Sequence, residues 1–284
     1  MRNHLLRTAC LTLTAAALLA GAATAATLKQ PFAQSYPFAA GGTLTLRNVN
    51  GAVTLEAWDR NEVRVEAEKE VKAGSDAEAK KMMALVKIDV QPGAGGLRID
   101  TRIPKKDSGL LDWITGNDVH VNVTYHIHLP RQAAVDAGNT NGHIALTGTR
   151  GTAKLATTNG HLEVAGVDGA LDLETTNGAI EGKGVTGTVK AETTNGHIEL
   201  AFAKVPRQGD LELETTNGGV TVKLPKGAGV SVDAATSNGG IQSEFQVAGS
   251  DPGKKHHLTG TINGGGGGRL RIRTTNGGVH LVEG

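Results

Sequence analysis

The sequence predicts an all-β protein: a parallel β-solenoid of short coils, each with about 18 residues and two strands, preceded by a less regular N-terminal cap that contains one short helix. Three observations predict this fold. Asn-Gly recurs at a nearly constant interval, apolar and polar residues alternate between the recurrences, and one outward position carries charges of alternating sign. Forty glycines against eight aromatic residues also favour a thin interior without bulky side chains.

The repeat sets the length of one coil. Thr-Thr-Asn-Gly returns in LATTNGHLEV, LETTNGAIEG, AETTNGHIEL and LETTNGGVTV. A fixed period near 20 residues is typical of solenoids. Two inserts, AKVPRQG and the flexible excursion AGSDPGKKHHLTGTINGGGGG, explain the longer intervals. The recurring asparagines, at intervals of 18, 18, 18, 22, 21 and 38 residues, are Asn141, Asn159, Asn177, Asn195, Asn217, Asn238 and Asn276.

Each unit contains two runs with the two-residue alternation of β-strands. Leu162 and Val164 share the inner side of one run, as Leu171 and Leu173 do in the next. Gly and Asn separate the runs because both tolerate positive φ. Stacked coils would place equivalent residues about 4.8 Å apart, so that the asparagines form an amide ladder at the corner. The residues predicted to point inward at the strand ends are Thr157, Thr175, Thr193 and Thr215.

An antiparallel meander is the alternative, because Asn-Gly between alternating runs also predicts hairpins. One outward column separates the two folds. Its charges alternate in sign at most steps, and only stacked coils would place them side by side, where opposite charges attract. We therefore prefer the solenoid. The column consists of Asp136, Lys154, Asp172, Lys190, Glu212, Asp233 and Arg271.

The N-terminus has the features of a cleaved secretory signal. Arg2 and Arg7 precede the apolar run LTLTAAALLAGAA, and Ala23-Thr24-Ala25 fits a signal peptidase site. We predict a signal peptide at 1–26, N-terminal strands with a capping subdomain at 27–130, and the repetitive solenoid, continuous with it, at 131–284. Without residues 1–26 the chain has no cysteine and a net charge near −1, which argues against a nucleic-acid partner. No other apolar run is long enough to cross a bilayer.

The two ends of the stack differ in the sequence. The segment SDAEAKKMMALV starts with Ser75 and places Glu78 three residues later, a capping box that predicts a short helix covering the N-terminal end. The C-terminal GGVHLVEG stops after one strand. We therefore expect the C-terminal edge to self-associate or to be blunted by Glu283.

Three stretches together resemble an uncharacterised bacterial "putative adhesin" family of exported β-strand-repeat proteins. They are NVNGAVTLEAWDRNEVRVEAEKE at 48–70, VHVNVTYHIHLP at 119–130 and the TTNGHIEL-type repeats. The resemblance runs from about residue 40 to the C-terminus. The resemblance implies a β-solenoid of unknown function. Some members of the family accompany envelope-stress systems. No catalytic residues are implied for this chain.

Candidate ligand-binding residues fall into acidic columns and one aromatic loop. Like charges in a column destabilise a sheet, so these columns need neighbouring cations, and weak divalent-cation binding is the functional alternative. Trp113, in the predicted mobile loop PKKDSGLLDWITGN, is the candidate for stacking on a carbohydrate or peptide, whereas Trp58 is expected in core or cap packing. The acidic columns are Glu163, Glu181 and Glu199, and Glu174, Glu192 and Glu214.

We predict no metal site and no cofactor. His126 and His128 share one face of a strand, about 7 Å apart, and would need a third ligand from elsewhere. His120 is too far along the same strand to help directly. His143, His161 and His197 occupy an outward column that Ala179 interrupts. In both cases the simpler interpretation is a polar strand surface.

These features favour an exported, non-catalytic solenoid, in the periplasm or on the cell surface of a bacterium, that presents a polar repeat surface for adhesin-like binding or scaffolding of a cell-envelope component. The second hypothesis is a periplasmic, envelope-stress-associated structural factor that binds another protein. The third is an envelope carbohydrate-active enzyme. The chain has no Gly-x-Ser-x-Gly or His-Glu-x-x-His motif, so hydrolytic chemistry has little support.

Overall fold

The computed structural model describes residues 26–104, 119–251 and 253–284, in which it has 23 strands and one helix. The elements before the regular repeat are β1 (Ala26–Pro37), β2 (Thr43–Arg47), β3 (Val53–Trp58), β4 (Glu62–Ala73), α1 (Asp76–Leu85), β5 (Lys87–Gly93), β6 (Gly96–Arg102) and β7 (His120–Pro130). The next strands are β8 (Ala134–Asn141), β9 (Ile144–Thr147), β10 (Ala153–Asn159), β11 (Leu162–Ala165), β12 (Leu171–Asn177), β13 (Ile180–Thr186), β14 (Val189–Asn195) and β15 (Ile198–Lys204). The last are β16 (Asp210–Asn217), β17 (Val220–Leu224), β18 (Val230–Asn238), β19 (Ile241–Ser243), β20 (Val247–Ala248), β21 (His257–Ile262), β22 (Arg269–Asn276) and β23 (Val279–Glu283).

The strands form two sheets around one apolar core. In the 11-stranded sheet the order is β1-β4-β7-β3-β9-β11-β13-β15-β17-β23-β19, and in the 12-stranded sheet it is β20-β21-β18-β22-β16-β14-β12-β10-β8-β2-β6-β5. Every coil places its first strand in the 12-stranded sheet and its second in the 11-stranded sheet. Neighbouring coils pair in parallel throughout. The predicted parallel β-solenoid is therefore confirmed, and the meander is wrong.

The register repeats one unit at a time. Lys154 pairs with Asp172, and Leu155 pairs with Leu173, each 18 residues later. Since the side-chain period of a strand is two, this register keeps every inward position inward along the stack. Leu162, Leu171 and Leu173 are all buried in the core.

The inward threonines satisfy backbone carbonyls at the corner of the coil. Thr157 donates from Oγ1 to the carbonyl of Gly142 at 3.1 Å, and Thr175 donates to Gly160 at 3.0 Å. A buried hydroxyl without a partner would be costly, so this bond explains why Thr is acceptable in the core. Asn139 takes the same place in an earlier coil and donates to Gly51 at 2.7 Å. The remaining members of the column are Thr193, Thr215, Thr236 and Thr274.

The glycines after Asn159, Asn177 and Asn195 are required for close stacking rather than for positive φ. Gly160, Gly178 and Gly196 lie outside the left-handed region, and the only described non-glycine residue with positive φ is Asn263. A Cβ on Gly178 would lie 1.8 Å from the carbonyl oxygen of Gly160 in the preceding coil. The expectation that Asn and Gly recur there for positive φ is thus wrong for these positions. The backbones of successive coils approach too closely for any side chain.

The last repeat does not stack on the end. Strands β22 and β23 lie between the coil of β16 and β17 and the coil of β18 and β19. The C-terminal strand therefore has a partner on both sides, so the prediction of an open edge at this strand is wrong. The excursion at 248–268 contains β21, which pairs antiparallel with β18 and, through β20, ends the 12-stranded sheet. It forms the cap that the sequence analysis expected to be missing.

The N-terminal end has antiparallel strands and the predicted helix. β1 pairs with β4 and β4 with β7 at one end of the 11-stranded sheet, while β5 and β6 form a hairpin at the same end of the other. Ser75 accepts a hydrogen bond from the Glu78 backbone N–H and caps α1, whose Ala79 and Met82 join the core. The helix packs against β1 and β4. The predicted helix over 75–86 is confirmed.

Candidate functional site

The outer face of the 12-stranded sheet carries the predicted charge column. In the stacking order its members are Asp136, Lys154, Asp172, Lys190, Glu212, Arg271 and Asp233. The sign alternates at every step, because Arg271 lies between two acids that are neighbours in the sequence order. Lys154 forms an ion pair with Asp172 that raises the pKa of the lysine ammonium.

Not every charge pairs within its own column. Lys190 contacts Glu192, two residues along its strand, at 2.9 Å, and this hydrogen bond raises the pKa of Lys190. Arg273 contacts Asp233 at 2.6 Å, and Arg47 contacts Asp136 at the same distance. The pKa of the Asp233 carboxyl is lowered mainly by the hydrogen bond from Arg273. The face thus carries both signs in close contact along the stack.

The acidic column of Glu174, Glu192 and Glu214 lies next to the charge column. The three residues are direct neighbours in the register of β12, β14 and β16. Cations compensate them: Lys190 contacts Glu192, and Arg273 is the next residue in register after Glu214. The sequence predicts that this column needs neighbouring cations but does not indicate Arg273, because the position of β22 is not evident from it.

Small residues interrupt this same row and leave a shallow depression. Going towards the N-terminal end, Glu174 is followed in register by Ala156, Gly138 and Arg47. Arg47 and Glu174 mark the two ends of the depression, with their strands about 14 Å or three strand spacings apart, and the Arg47 side chain extends over Gly138 to contact Asp136. Exposed threonines border it, namely Thr140, Thr158 and Thr176.

Two further columns run along this edge of the face. The asparagine side chains form a continuous ladder, in which each amide nitrogen donates to the Oδ1 of the preceding member at 2.8–2.9 Å, from Asn141 through Asn159, Asn177, Asn195, Asn217 and Asn276 to Asn238. Asn141 itself donates to Asn50, a member that the sequence analysis missed although Asn50 is also followed by Gly. From Asn141 onward, the residue before each ladder asparagine carries an outward hydroxyl, as Thr140, Thr158 and Thr176 do.

The second acidic column lies on the outer face of the other sheet. Glu163, Glu181 and Glu199 are neighbours in the register of β11, β13 and β15. Glu199 contacts Lys223 at 2.6 Å, and this hydrogen bond lowers the pKa of the Glu199 carboxyl. Glu181 lies 3.5 Å from His197. The column is thus partly compensated, on the opposite side of the molecule from the other glutamates.

The histidines of the outward column, which follow the Asn-Gly corners, do not form a metal-binding group in the described part of the chain. His161 accepts a hydrogen bond at Nδ1 from the backbone N–H of Ala179, 3.2 Å away. Across residues 26–104, 119–251 and 253–284, the one group of three His, Cys, Asp or Glu residues whose ligand atoms lie within 4.8 Å of one another is Glu56, His126 and His128. His143, His161 and His197 are not part of it.

This His–Glu cluster lies on the outer face of the 11-stranded sheet. β3 pairs with β7 in parallel, with Glu56 opposite His128. A carboxylate oxygen of Glu56 lies 3.3 Å from His126 Nε2 and 3.8 Å from His128 Nδ1. The alternation in β7 indicates both histidines, whereas Glu56, 70 residues before His126 in the chain, has no signal in the sequence that links it to them.

Trp58 belongs to the surroundings of this cluster rather than to the core. Its ring stacks on His128 with centroids 5.0 Å apart, and the Arg60 guanidinium lies 4.8 Å from the indole centroid. The indole N–H donates to the carbonyl of Glu62. Trp113 and residues 1–25 of the predicted signal peptide lie outside the described residues.

Comparisons with known proteins identify the family to which this chain belongs. The sequence model of the Toastrack DUF4097 family matches residues 43–282. No curated protein matches the chain. Similar solved structures include a "putative cell adhesion protein" from Clostridium sporogenes, with 13% identity, a TM-score of 0.38, and 90% and 100% of the two chains covered.

Two other solved structures are similar at the same level. A "putative adhesin" from Bacteroides fragilis has 11% identity and a TM-score of 0.33 over 89% of this chain and 97% of its own. A "putative lipid binding protein" from Parabacteroides distasonis has 9% identity and a TM-score of 0.29 over 89% and 96%. The described residues include no helix that is long and apolar enough to span a bilayer.

Proposed function

This chain belongs to the Toastrack DUF4097 family, and from its geometry we propose that it is an exported, non-catalytic β-solenoid that binds an extended polymer of the cell envelope. The observation that carries the proposal is the depression on the outer face of the 12-stranded sheet. Arg47, whose side chain lies over Gly138, and Glu174 close its two ends, and Ala156 lies between them. A ligand that carries both signs of charge, or both donors and acceptors, fits these ends.

The lining favours sugar and amide groups over a strongly charged polymer. The exposed Thr140, Thr158 and Thr176 offer hydroxyls that donate and accept, at one strand spacing of about 4.8 Å. The alternating charge column leaves no large field of one sign on this face, and such a field is what a polyanion would require. Peptidoglycan, with its hydroxyls, amides, carboxylates and amines, has the matching chemistry.

Export is supported by the N-terminal sequence. Arg2 and Arg7, the apolar run that follows and Ala23-Thr24-Ala25 have the order of a secretory signal. The rest of the chain contains no cysteine, and its fold depends on backbone pairing and a continuous core. The proposed location is accordingly the periplasm or the surface of a bacterium.

The test is co-sedimentation of the purified protein with protein-free peptidoglycan sacculi and, separately, with outer-membrane material. Ala156→Trp fills the depression and should reduce the sedimenting fraction severalfold. Ala201→Trp is the matched control, because Ala201 is an outward, half-buried alanine in β15 on the opposite sheet. It should bind like the wild type. Equal binding by all three proteins, or an equal loss in both variants, would contradict the proposed surface.

Two further outcomes separate the other hypotheses. Binding to outer-membrane material but not to sacculi, abolished when that material is treated with protease, would indicate a protein partner instead. Release of new reducing ends from a panel of envelope glycans would contradict the non-catalytic role.

A further inference from the structure

We propose that Glu56, His126 and His128 bind one divalent ion of the Zn²⁺ class on the outer face of the 11-stranded sheet. The three ligand atoms already converge within 4.8 Å of one another. The site is on the opposite side of the molecule from the proposed polymer surface and does not depend on that function.

The distances fit a tetrahedral ion. Zn²⁺ takes nitrogen ligands at about 2.0–2.1 Å and carboxylate oxygens at about 2.0–2.2 Å, which at tetrahedral angles places neighbouring ligand atoms about 3.4 Å apart. The Glu56 oxygen lies 3.3 Å from His126 Nε2 and 3.8 Å from His128 Nδ1. The third separation, between the ligand nitrogens of the two imidazoles, is within 4.8 Å.

The backbone places the three ligands without a flexible loop. His126 and His128 alternate with buried Tyr125, Ile127 and Leu129 on β7, so both imidazoles project outward. Glu56 is in register with His128 on the adjacent strand. Rigid strands that are paired on both sides hold ligands better than loops do.

Two observations at the imidazoles favour a ligand. His126 Nε2 is shielded from solvent, and its contact with the Glu56 oxygen at 3.3 Å does not have hydrogen-bond geometry. A shielded polar atom without a partner destabilises the protein, and coordination would satisfy it. Trp58 stacks on His128 with an angle of 16° between the rings and so limits the rotation of that imidazole.

The surrounding charges do not oppose a cation. Arg64 and Glu66 of β4 lie in register with His128 and His126, and they pair with each other at 2.6 Å. Arg60 is directed to the Trp58 ring. Glu56 has no other ion-pair partner among the described residues than the two histidines, so its carboxylate is available to a metal.

The donor set selects the class of ion. Two imidazole nitrogens and one carboxylate suit Zn²⁺ and neighbouring late first-row metals, whereas Ca²⁺ and Mg²⁺ prefer sites made only of oxygens. The ligand side chains are partly exposed, with 46%, 43% and 25% accessible for Glu56, His126 and His128. Three protein ligands therefore leave a fourth position open to water or to a donor atom of another molecule.

Isothermal titration of the untagged, metal-free protein with Zn²⁺ tests the site, and Co²⁺ provides an absorbance readout of a tetrahedral environment. We expect one equivalent to bind and the ion to raise Tm, because it binds the folded state and joins β3 to β7. Glu56→Gln and His126→Ala should each weaken Zn²⁺ binding by at least about tenfold. His161→Ala removes a corner histidine outside the cluster and should leave binding unchanged.

Circular dichroism of each metal-free variant provides the folding control, since all three substituted side chains lie at least partly at the surface and their replacement should preserve the spectrum. The absence of stoichiometric Zn²⁺ binding would overturn the proposal. So would binding that survives both Glu56→Gln and His126→Ala, or that is lost equally in His161→Ala, because either result would place the ion elsewhere.

Discussion

Arg271 lies beside Glu212, with 3.8 Å between guanidinium nitrogen and carboxylate oxygen, although 58 residues of chain separate them and the coil of Asp233 comes between them in the sequence. The final coil is thus inserted between two earlier coils. This insertion restores the strict alternation of charge in the column, which the order of the sequence breaks at Glu212 and Asp233.

Reversing this charge should destabilise the C-terminal end of the stack. Arg271→Glu would place three carboxylates side by side with Glu212 and Asp233, at an expected cost of about 1 kcal/mol in the free energy of unfolding. Urea denaturation at low and high salt measures it. Glu212→Arg in the same chain should restore part of the loss, and 1 M NaCl should reduce the difference, because exposed charges are screened. An effect that is independent of salt would argue against a charge contact.

The asparagine ladder should contribute to stability at each step. Asn177 donates to Asn159 and accepts from Asn195, so Asn177→Ala removes two hydrogen bonds. We expect a loss of about 1–2 kcal/mol in the free energy of unfolding by urea denaturation. Thr176→Ala is the control at the neighbouring exposed position and should cost less than about 0.5 kcal/mol. Equal stability of the two variants would mean that the hydrogen bonds of the ladder do not stabilise the folded protein.

A glycine that directly follows a ladder asparagine should tolerate substitution far less than a glycine with open space around it. In Gly178→Ala the new Cβ meets the Gly160 carbonyl oxygen, and separating the coils should cost about 3 kcal/mol or prevent folding. Gly240 occupies the corner of the outermost coil, with no atom within 4 Å of an added Cβ. Gly240→Ala should therefore be nearly neutral in thermal unfolding. A tolerated alanine at Gly178 would contradict the close approach of the coils.

Tyr125 provides a pH-dependent probe of the interior. It is 1% exposed, its hydroxyl lies 2.7 Å from Thr101 Oγ1, and burial raises its pKa to about 12. Because the pKa is higher in the folded than in the unfolded chain, the stabilisation is complete below about pH 10 and is lost as the pH rises through about 12. In a Tyr36→Phe variant, phenolate absorbance should titrate near 12 when folded and near 10 in urea. A folded midpoint near 10 would place the hydroxyl in solvent.

The repeat itself could be predicted because each coil has the same pattern of core-facing and outward residues. Leu155 and Leu173 must both face the core, and Lys154 and Asp172 are neighbours only if the coils are in register. Period, direction of the side chains and parallel stacking all follow from these patterns. The helix after Ser75 has an equally local signal in its cap.

The order of the last coils could not be predicted from local patterns. All coils present the same Asn-Gly corner and nearly the same inward residues, so any coil can stack on any other. The one signal was the pair of acids Glu212 and Asp233, which broke the alternation and left Arg271 without an acidic neighbour on one side. The third residue of the His–Glu cluster was hidden for a related reason. The pairing of β3 with β7 brings Glu56 to His128, and no sequence period links these two strands.

Disulfide formation distinguishes in-register parallel coils with the last one inserted from coils stacked in chain order. In a Cys10→Ser background, the pair Thr216→Cys and Thr275→Cys lies on adjacent strands β16 and β22, between the registered pairs Thr215–Thr274 and Asn217–Asn276. Adjacent strands meet the distance that a disulfide needs, whereas Thr216→Cys and Ser237→Cys are separated by a full strand. We predict that mild oxidation of the folded protein links the first pair and not the second. Linkage of 216 to 237 but not to 275 would show that the last coil is not inserted between β16 and β18.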